Sequence, residues 1–575
     1  MLIRTTLIAF CLSFILGGCT DSQEYADAIY FGGDILTMQG DTAGYVEAIT
    51  IKDGKIQFMG DKDQALKYQQ ADTGLHNLNG NTLMPSFIDA HGHFMSAMEM
   101  VQQVNLALPP VGTVKDIGDI IAQLKAYQSQ RKVPKGEWIL GWGYDENGLS
   151  EQRHITKLDL DPHFPDHKVM IIHVSQHGAV LNSMALDWAG INAQTITPKG
   201  GVINRLPGSN EPAGLLMEMA YLPVYLKRPI PTEQEMFDGI LDQAQQMYAS
   251  EGYTHAQDGF SKTTNIDFLQ RAAQQDKLYL DVVSLPGFIE TEQWMNNEKY
   301  PFGEYVNGLK LQGMKITQDG SPQAKTAFIS APYLTGGLHG EADWHGTTTQ
   351  PKDSFVTQVK QAVDAGLQVF IHANGDATID QAIEAIEMAG IKAKDDRRSV
   401  IIHSQFQRPD QLDKYAQLGI SPSYFSNHTF FWGDVHSKNI GVEKASFISP
   451  IKAAVNKGLV YSNHTDFNVT PLDPFFVLWT AMKRETRSGK ILGGDQTVDI
   501  YTALQGLTTG PAWQIFEENR KGKLQTGLLA DLVILNKNPI TTGVDNIKNI
   551  EVLTTIKQGK VIFQRPNSQK LSATH

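Results

Sequence analysis

The chain has 575 residues, of which 41% are apolar and 19% charged, and its formal net charge is −13 at pH 7. A single hydrophobic core rarely grows beyond about 300 residues, so this length predicts at least two cores. The acidic balance argues against a nucleic-acid partner, because an acidic surface is repelled by phosphate backbones.

The amino terminus resembles a bacterial lipoprotein signal. An apolar stretch over residues 7–16 follows Arg4 and is too short for a permanent membrane helix. It ends in Leu16-Gly17-Gly18-Cys19, which resembles a lipobox, so we expect a signal peptide over residues 1–18 and a lipid on Cys19. The expected location is the cell envelope, facing the periplasm, and Thr20 after the cysteine favours the outer membrane. An ordinary cleaved secretory signal is the alternative.

Short stretches of alternating polarity occur near both ends of the chain. Turns such as Lys52-Asp53-Gly54 separate them, which is typical of β-hairpins. The predicted strands are Ala28–Phe31, Ala48–Ile51, Lys55–Met59, Ala530–Leu535, Val552–Ile556 and Val561–Phe563.

The first strand-like run after this region, residues 83–90, ends in His91-Gly92-His93. Alternate side chains of a strand lie on one face, so the two imidazoles point the same way. Two convergent neutral imidazoles can hold a divalent transition metal, of which zinc is the commonest. A pair with this spacing is a weak signal alone, and its meaning depends on further ligands downstream.

The segment 105–235 is far too long for an ordinary connection between a strand and a helix. It is rich in Trp, Tyr, Pro and His, and we expect it to form a cap over a binding site. Tyr144, His177 and Glu218 lie within it and are candidate substrate contacts.

Seven further apolar runs follow, with helical spacing between them at Asp376–Met388 and Asp410–Leu418. With the run that ends at His91 they make eight, the strand number of a (β/α)8 TIM-like barrel. The runs are Tyr253–Asp258, Leu280–Leu285, Leu309–Thr317, Gln368–Asn374, Ser399–Gln405, Gly419–Ser426 and Gly458–Asp466. The predicted fold class is therefore α/β, and such barrels carry their chemistry at the carboxyl ends of the strands.

Polar side chains fall at these strand ends: His372 on the fifth, His403 on the sixth and Asp466 on the eighth. Lys315 faces the barrel on the fourth strand, where a charged amine is costly unless it is paired. A neutral amine can add carbon dioxide to give a carbamate that bridges two cations; a lysine paired across the barrel mouth is the alternative. Asp466 has an alternative role as a helix N-cap or turn residue. Only Cys11 and Cys19 are present, so we expect a site of nitrogen and oxygen ligands.

The order of motifs resembles the amidohydrolase superfamily, and in particular its "amidohydrolase 3" branch, which includes N-substituted formamide deformylases. The motifs are Met84-Pro85-Ser86-Phe87-Ile88-Asp89-Ala90-His91-Gly92-His93, Gly141-Trp142-Gly143-Tyr144-Asp145, His177-Gly178-Ala179-Val180-Leu181-Asn182-Ser183, Gly313-Met314-Lys315, Asp319-Gly320-Ser321, Ile371-His372-Ala373-Asn374-Gly375-Asp376, His403-Ser404-Gln405 and residues 466–471. Two departures are visible: Ile402 precedes His403 where relatives often have Glu, and His464 lies in Asn463-His464-Thr465-Asp466 where many relatives have Gly-Ser-Asp.

The resemblance implies a barrel domain over residues 86–510, with the cap inserted, and a β-sandwich built from residues 22–85 and 511–566. Residues 567–575 would be a flexible tail. It also implies that His91, His93, His372 and His403 bind one or two divalent ions, with zinc as the expected metal. Lys315 would be carboxylated and bridge the ions, and Asp466 would be both ligand and proton shuttle.

The implied function is hydrolysis of an amide-type C–N bond, N-acyl or N-formyl, by a metal-activated hydroxide. An ester, lactone or cyclic imide hydrolase with the same centre is the alternative enzyme, and a non-catalytic envelope lipoprotein that binds a ligand is the alternative from another class. The expected partners are a small-molecule substrate, the membrane through Cys19, and a second copy of the chain. Asp319 and His464 are further candidate substrate contacts, with structural roles as the alternative.

The remaining histidines in polar stretches are expected to be solvated. The chain has 17 histidines in all. Those expected to face solvent are His154, His163, His167, His339, His345 and His436.

Overall fold

The structure is a computed structural model that describes residues 24–109, 111–199, 201–295, 301–337 and 340–566. The expected signal peptide, the lipid-bearing Cys19, the tail over residues 567–575 and His339 lie outside these ranges. Within the described ranges, no helix combines the length and the apolar character needed to cross a membrane.

Eight parallel strands form a barrel in which consecutive strands pair in chain order. The fourth strand is interrupted at Gln312; its first part pairs with the third strand and its second part with the fifth. A bridge between Gly92 and Phe467 joins the ends of the first and last strands. The strands are Phe87–Ile88, Tyr253–Ser261, Asp281–Pro286, Leu309–Leu311 with Gly313–Thr317, Gln368–Ala373, Val400–His403, Ser421–Tyr424 and Ser462–Asn463. The predicted TIM-like α/β barrel is confirmed.

Helices pack against the outside of the barrel through apolar residues at helical spacing. In the helix Asp376–Met388, Ile379, Ile383 and Ile386 share one face and pack in the same cluster as the strand residue Ile371. The helices of the barrel region are Phe94–Met100, Glu233–Glu235, Leu241–Ser250, Thr263–Gln274, Thr291–Met295, Lys352–Asp364, Asp376–Met388, Pro409–Leu418, His428–Ile440, Val442–Ser446, Ile451–Asn456, Pro474–Lys483, Ile500–Gln505 and Thr509–Gln514.

Strands from both ends of the chain form one eight-stranded sheet. The two ends meet where Thr82–Pro85 pairs antiparallel with Leu532–Leu535. Leu83, Leu532 and Ile534 are fully buried in a core that belongs to this sheet. The other strands are Ala28–Leu36, Tyr45–Lys52, Lys55–Gly60, Gly74–Asn77, Val552–Lys557 and Lys560–Gln564, and the short helices beside them are Lys62–Ala65 and Pro539–Thr542.

The chain between the first and second barrel strands forms a six-stranded sheet with its own helices. Its strands are Val104–Asn105, Trp138–Tyr144, Lys168–His173, Gly178–Leu181, Gly201–Arg205 and Pro212–Glu218, and its helices are Ile117–Arg131, Lys157–Leu160, Ser183–Ala189 and Leu222–Lys227. Leu106, Ile120 and Val169 are fully buried in a core of this region, which we call the inserted region.

A buried network of charges joins the barrel to the terminal sheet at Asp281. Its carboxylate contacts the ammonium group of Lys521 and lies 3.0 Å from that of Lys557, which is 2.8 Å from Asp531. Because removing the carboxylate leaves buried ammonium groups short of a partner, we expect Asp281→Ala to lower the free energy of unfolding by about 3–5 kcal/mol. Urea denaturation measures this change.

The control for this variant is Asp545→Ala, which removes an ion pair with Lys483 at 2.9 Å on the surface. The exposed pair is expected to contribute less than about 1 kcal/mol. Equal small effects for Asp281→Ala and Asp545→Ala would contradict a structural role for the buried network.

Candidate metal centre

Two histidines and a carboxylate converge at the carboxyl ends of the first and last barrel strands. His91 and His93 follow the first strand, and Asp466 follows the eighth. The Nε2 atoms of His91 and His93 lie 3.3 and 3.2 Å from Oδ1 of Asp466. These three ligand atoms are close enough to share one cation.

The other three predicted ligands lie beside this group. Nζ of Lys315 is 3.2 Å from Nε2 of His91, and Nε2 of His403 is 3.1 Å from Nδ1 of His372. The rings of His91 and His403 are 5.5 Å apart between centroids, which joins the two halves of the cluster. The structure therefore brings together all six residues that the sequence places at strand ends.

A neighbouring side chain fixes the orientation of His91. Oε1 of Gln257, on the second barrel strand, lies 3.0 Å from Nδ1 of His91. An amide oxygen only accepts hydrogen bonds, so Nδ1 carries the proton and donates it. The Nε2 lone pair is then directed toward Asp466 and Lys315, the arrangement that a metal-binding histidine adopts.

The donor atoms of the cluster fit a divalent cation. Burial lowers the pKa of His91 and of His403 well below the usual value, so both imidazoles are neutral. Oδ1 of Asp466 is buried and, within the described part of the chain, has no hydrogen-bond donor. Lone pairs that face each other at about 3.2 Å repel unless a proton or a cation lies between them. Neutral imidazoles with a carboxylate are ligands that divalent transition metals prefer.

Asp466 is ionised in this environment. Burial would raise its pKa, but the contact with the His93 side chain opposes this shift, and the pKa of Asp466 lies well below its usual value. The backbone of Asp466 has φ +49°, and that of His403 has φ +71°. Both values lie in the left-handed region that side chains other than glycine rarely adopt, and such conformations concentrate at functional sites.

Lys315 differs from the other lysine on its strand. Burial lowers the pKa of Lys315 to about 7, against the opposing charge of Asp466, so a large part of the amine is neutral at pH 7. Lys310 is also buried, but its ammonium group lies 2.7 Å from a carboxylate oxygen of Glu517, away from the cluster. Of these two lysines, Lys315 is therefore the one whose amine lies beside the candidate ligands.

Asp319 lies next to His372 and binds the backbone of the loop after the fifth strand. Its carboxylate accepts hydrogen bonds from the backbone N–H groups of Phe328, Asn374 and Gly375, at 3.1, 3.0 and 2.8 Å. Its Oδ1 is 3.6 Å from Nε2 of His372. Burial raises the pKa of Asp319 to about 7, although the backbone hydrogen bonds oppose this shift. These contacts give Asp319 a structural role in holding the loop that follows the fifth strand.

We expect Asp319→Ala to lower the free energy of unfolding by about 3 kcal/mol, because three backbone donors lose a buried acceptor. Urea denaturation of the variant measures the loss. Asp343→Ala is the control, since the Asp343 side chain is 92% exposed and its removal should change stability little. An unchanged unfolding midpoint for Asp319→Ala would contradict this role.

The predicted substrate contacts in the inserted region and at the eighth strand have different surroundings. His177 and Glu218 form a pair, with Nδ1 of His177 3.1 Å from Oε2 of Glu218. His464 packs against the rings of His91 and His403, each 5.1 Å away between centroids. Tyr144 is fully buried in the core of the inserted region, and its hydroxyl group contacts His154 rather than any of the six clustered residues.

Two histidines that the polar sequence context predicts to be solvated are buried, so that prediction is wrong for them. His436 lies 3.0 Å from Nδ1 of His428, whose ring packs against Phe425 and Trp432. His167 is buried beside Gln128. His428 opens the helix after the seventh strand, and the rule that chemistry lies at strand ends could have identified it as a residue near the site.

Comparison with known proteins gives one family match, a model described as "Amidohydrolase family" that covers residues 75–563. The chain is 27% identical over 552 residues to YtcJ of Bacillus subtilis (strain 168), covering 94% of this chain and 99% of that protein. It is 24% identical over 534 residues to an N-substituted formamide deformylase of Arthrobacter pascens, covering 91% and 96%.

Among solved structures, the fold matches an uncharacterised metal-dependent hydrolase from Pyrococcus horikoshii OT3. The TM-score is 0.71 at 23% identity, and the match covers 89% of this chain and 98% of that one. At this level of identity the likeness supports the fold.

Proposed function

This chain belongs to the amidohydrolase family, and we propose that it is a metal-dependent hydrolase that cleaves an amide-type C–N bond, such as that of an N-acyl or N-formyl compound. The observation that carries the proposal is the position of the Asp466 carboxylate, 3.2–3.3 Å from the imidazoles of His91 and His93 at the mouth of the barrel. A carboxylate held there can act on water and on a substrate that reaches the strand ends.

The residues of the chain supply the proton transfers. A divalent cation held by the six clustered residues would lower the pKa of water and polarise a carbonyl group. Asp466 is ionised, so it accepts the proton of the attacking water as the new C–O bond forms. It then donates that proton to the departing nitrogen as the C–N bond breaks. The acyl carbon gains hydroxyl and the nitrogen gains hydrogen, which balances the addition of one water molecule.

We propose zinc as the metal and a carboxylated Lys315 as a bridge between two ions. The support is the pKa of about 7 for Lys315, which leaves a nucleophilic amine at neutral pH, and the 3.2 Å distance from Nζ to His91. The test is carbon-13 NMR of protein prepared in labelled bicarbonate. A carbamate resonance in the wild type that is missing in Lys315→Ala supports the bridge, and two identical spectra contradict it.

A matched substrate panel tests the reaction type. Zinc-loaded protein is assayed with N-formyl and N-acetyl anilines, with the corresponding phenyl esters, and with a cyclic imide. The proposal expects hydrolysis of at least one amide that depends on both metal and Asp466. Turnover of esters or imides alone would favour the alternative hydrolase. The leaving group of an ester needs proton donation less than the nitrogen of an amide does. No turnover in a fully loaded protein would favour a binding role.

We also propose that the protein is anchored in the bacterial envelope through a lipid on Cys19 and faces the periplasm. The support is the sequence Leu16-Gly17-Gly18-Cys19 after an apolar stretch. Cys19→Ser is expected to abolish incorporation of labelled palmitate and to release the protein from the membrane fraction. Unchanged labelling would contradict the anchor.

A further inference from the structure

Two buried histidines of the helix after the seventh barrel strand form a hydrogen-bonded pair. The strand Ser421–Tyr424 ends at the mouth of the barrel, and the helix His428–Ile440 begins shortly after it. Nδ1 of His428 lies 3.0 Å from Nε2 of His436, and the planes of the two rings differ by 10°. His428 is 3% exposed, and His436 is fully buried. The proposed proton transfers do not involve this pair.

Ring contacts connect His428 to the clustered ligands through one side chain. The ring of Phe425 lies 6.2 Å from that of His403 and 4.6 Å from that of His428, between centroids. Phe425 is also 4.9 Å from His464, which packs against both halves of the cluster. Tyr424, the residue before Phe425, pairs with His403 in the sheet. His428 therefore lies one aromatic ring away from a candidate metal ligand.

A second ring contact of His428 leads to the inserted region. The ring of Trp432 lies 4.5 Å from that of His428 between centroids. The Nε1–H group of Trp432 donates to Oδ2 of Asp145 at 3.2 Å. Asp145 directly follows the strand Trp138–Tyr144 of the inserted region. His428 therefore connects the wall of the metal centre with the inserted region.

The hydrogen bonds of the pair indicate which nitrogen of His428 carries a proton. A charged imidazole is costly in a buried pair, so one proton lies between Nδ1 of His428 and Nε2 of His436. Nδ1 of His436 is enclosed and, within the described ranges, has no hydrogen-bond partner. An enclosed N–H group without an acceptor is rarer than an enclosed acceptor without a donor, so this atom is the unprotonated one. Nε2 of His436 then donates to His428, whose own proton is on Nε2.

The N–H group at Nε2 of His428 is available to a ligand. Nε2 has no hydrogen-bond partner in the part of the chain that the structure describes, yet it is not one of the enclosed atoms. The neighbouring rings are Phe425 and Trp432, and the N–H group of Trp432 is already bound to Asp145. An anionic acceptor would lie in these apolar surroundings, beside the ring that binds a carboxylate. An uncharged oxygen atom fits the position better, because burying an unpaired charge costs more free energy.

We propose that His428 contacts the substrate, donating a hydrogen bond from Nε2 to an uncharged oxygen atom beyond the bond that is hydrolysed, and that His436 positions it. This inference rests on the proposed function and narrows the substrate class to amides that carry a second, neutral carbonyl or amide group. Phe425 separates His428 from His403, so its ring would contact the atoms that link the two groups. A site built to bind such an oxygen discriminates against analogues that lack it.

Binding of three hydroxamates, which are oxygen ligands for metal centres, tests the contact without turnover. Acetohydroxamate is short, N-acetylglycine hydroxamate carries a second amide oxygen, and pentanohydroxamate has the same chain length without that oxygen. The full-length protein is loaded with Co²⁺, and the visible spectrum is followed as each probe is added. Wild type is expected to bind N-acetylglycine hydroxamate about tenfold more tightly than pentanohydroxamate, the effect of one hydrogen bond.

His428→Leu is expected to remove this tenfold preference, while the cobalt content and the Kd of acetohydroxamate stay unchanged. His428→Gln, which retains an N–H donor, should recover part of the preference. His436→Phe leaves the ring of His428 in place without its partner, so it should lower the preference less than His428→Leu. The control is His163→Leu, an exposed position in the inserted region, which should keep the wild-type preference.

Three results would overturn the inference and leave the proposed function intact. They are equal Kd values of the two longer probes in wild type, an unchanged preference in His428→Leu, and an equal loss of affinity for all three probes in His428→Leu, which would indicate a structural role. A wild-type protein that binds cobalt but none of the hydroxamates, or that binds no cobalt, would overturn both.

Discussion

Replacing Asp466 by asparagine is expected to lower kcat/KM on the best amide substrate about 100- to 10,000-fold while most of the metal stays bound. The carboxamide has nearly the shape of the carboxylate, but it cannot accept the proton of water or deliver it to the leaving nitrogen. Four imidazoles and Lys315 remain as candidate ligands. Steady-state kinetics and metal analysis on the same preparation measure the two effects separately.

The control for this variant is Asp343→Asn. It changes an exposed carboxylate outside the cluster and should leave kcat/KM unchanged. Asp466→Asn protein that keeps its metal and retains activity within about threefold of wild type would contradict the role of Asp466 in proton transfer.

Removing His91 and His93 together is expected to abolish binding of at least one metal ion per chain and to abolish activity. Both imidazoles lie within 3.3 Å of Oδ1 of Asp466, so their loss removes two of the three candidate ligands that converge there. A metal that binds the folded state raises Tm, and the double alanine variant should lose this increase. Metal analysis after dialysis, and thermal unfolding with and without zinc, measure both effects.

The control is a double variant, His163→Ala with His345→Ala, because both of these histidines lie outside the cluster. This protein should bind as much metal as wild type and show the same increase in Tm with zinc. Equal metal content in the His91 and His93 double variant would mean that the ion binds elsewhere.

The sequence was sufficient to predict the barrel and the convergence of six polar side chains at one of its mouths. Strands buried on both faces must be apolar along their length, so runs such as Gln368–Ala373 are visible without a structure. Because parallel strands end at one edge, the position of His372, His403 and Asp466 at the ends of their runs predicts their convergence. Lys315 followed from the same reasoning, since of the two lysines on the fourth strand it is the one that faces the barrel.

Contacts between distant parts of the chain could not be predicted in the same way. Gln257 orients His91 across 166 residues, and Glu218 reaches His177 across 41. Local periodicity contains no information on such pairs, because they depend on how the inserted region and the barrel pack. The burial of His436 was missed for another reason. Its partner His428 lies on the same helix, but the sequence of that helix has no strong apolar pattern that would predict a buried face.

Details within elements also depend on packing. The fourth strand changes its partner at Gln312, where the side chain of Gln312 donates to Gln368 at 2.7 Å. Tyr144 lies in a strand whose residues alternate in direction, and tertiary packing turns its hydroxyl group toward His154. An apolar run gives the extent of a strand but not the side on which each neighbour pairs.

The most direct test of the account is an anomalous difference map at the metal absorption edge, measured on crystals of zinc-loaded protein. The account predicts a peak among His91, His93 and Asp466, with Lys315, His372 and His403 contacting the same or an adjacent peak. A fully loaded protein whose only peak lies away from these six side chains would contradict the proposed hydrolase.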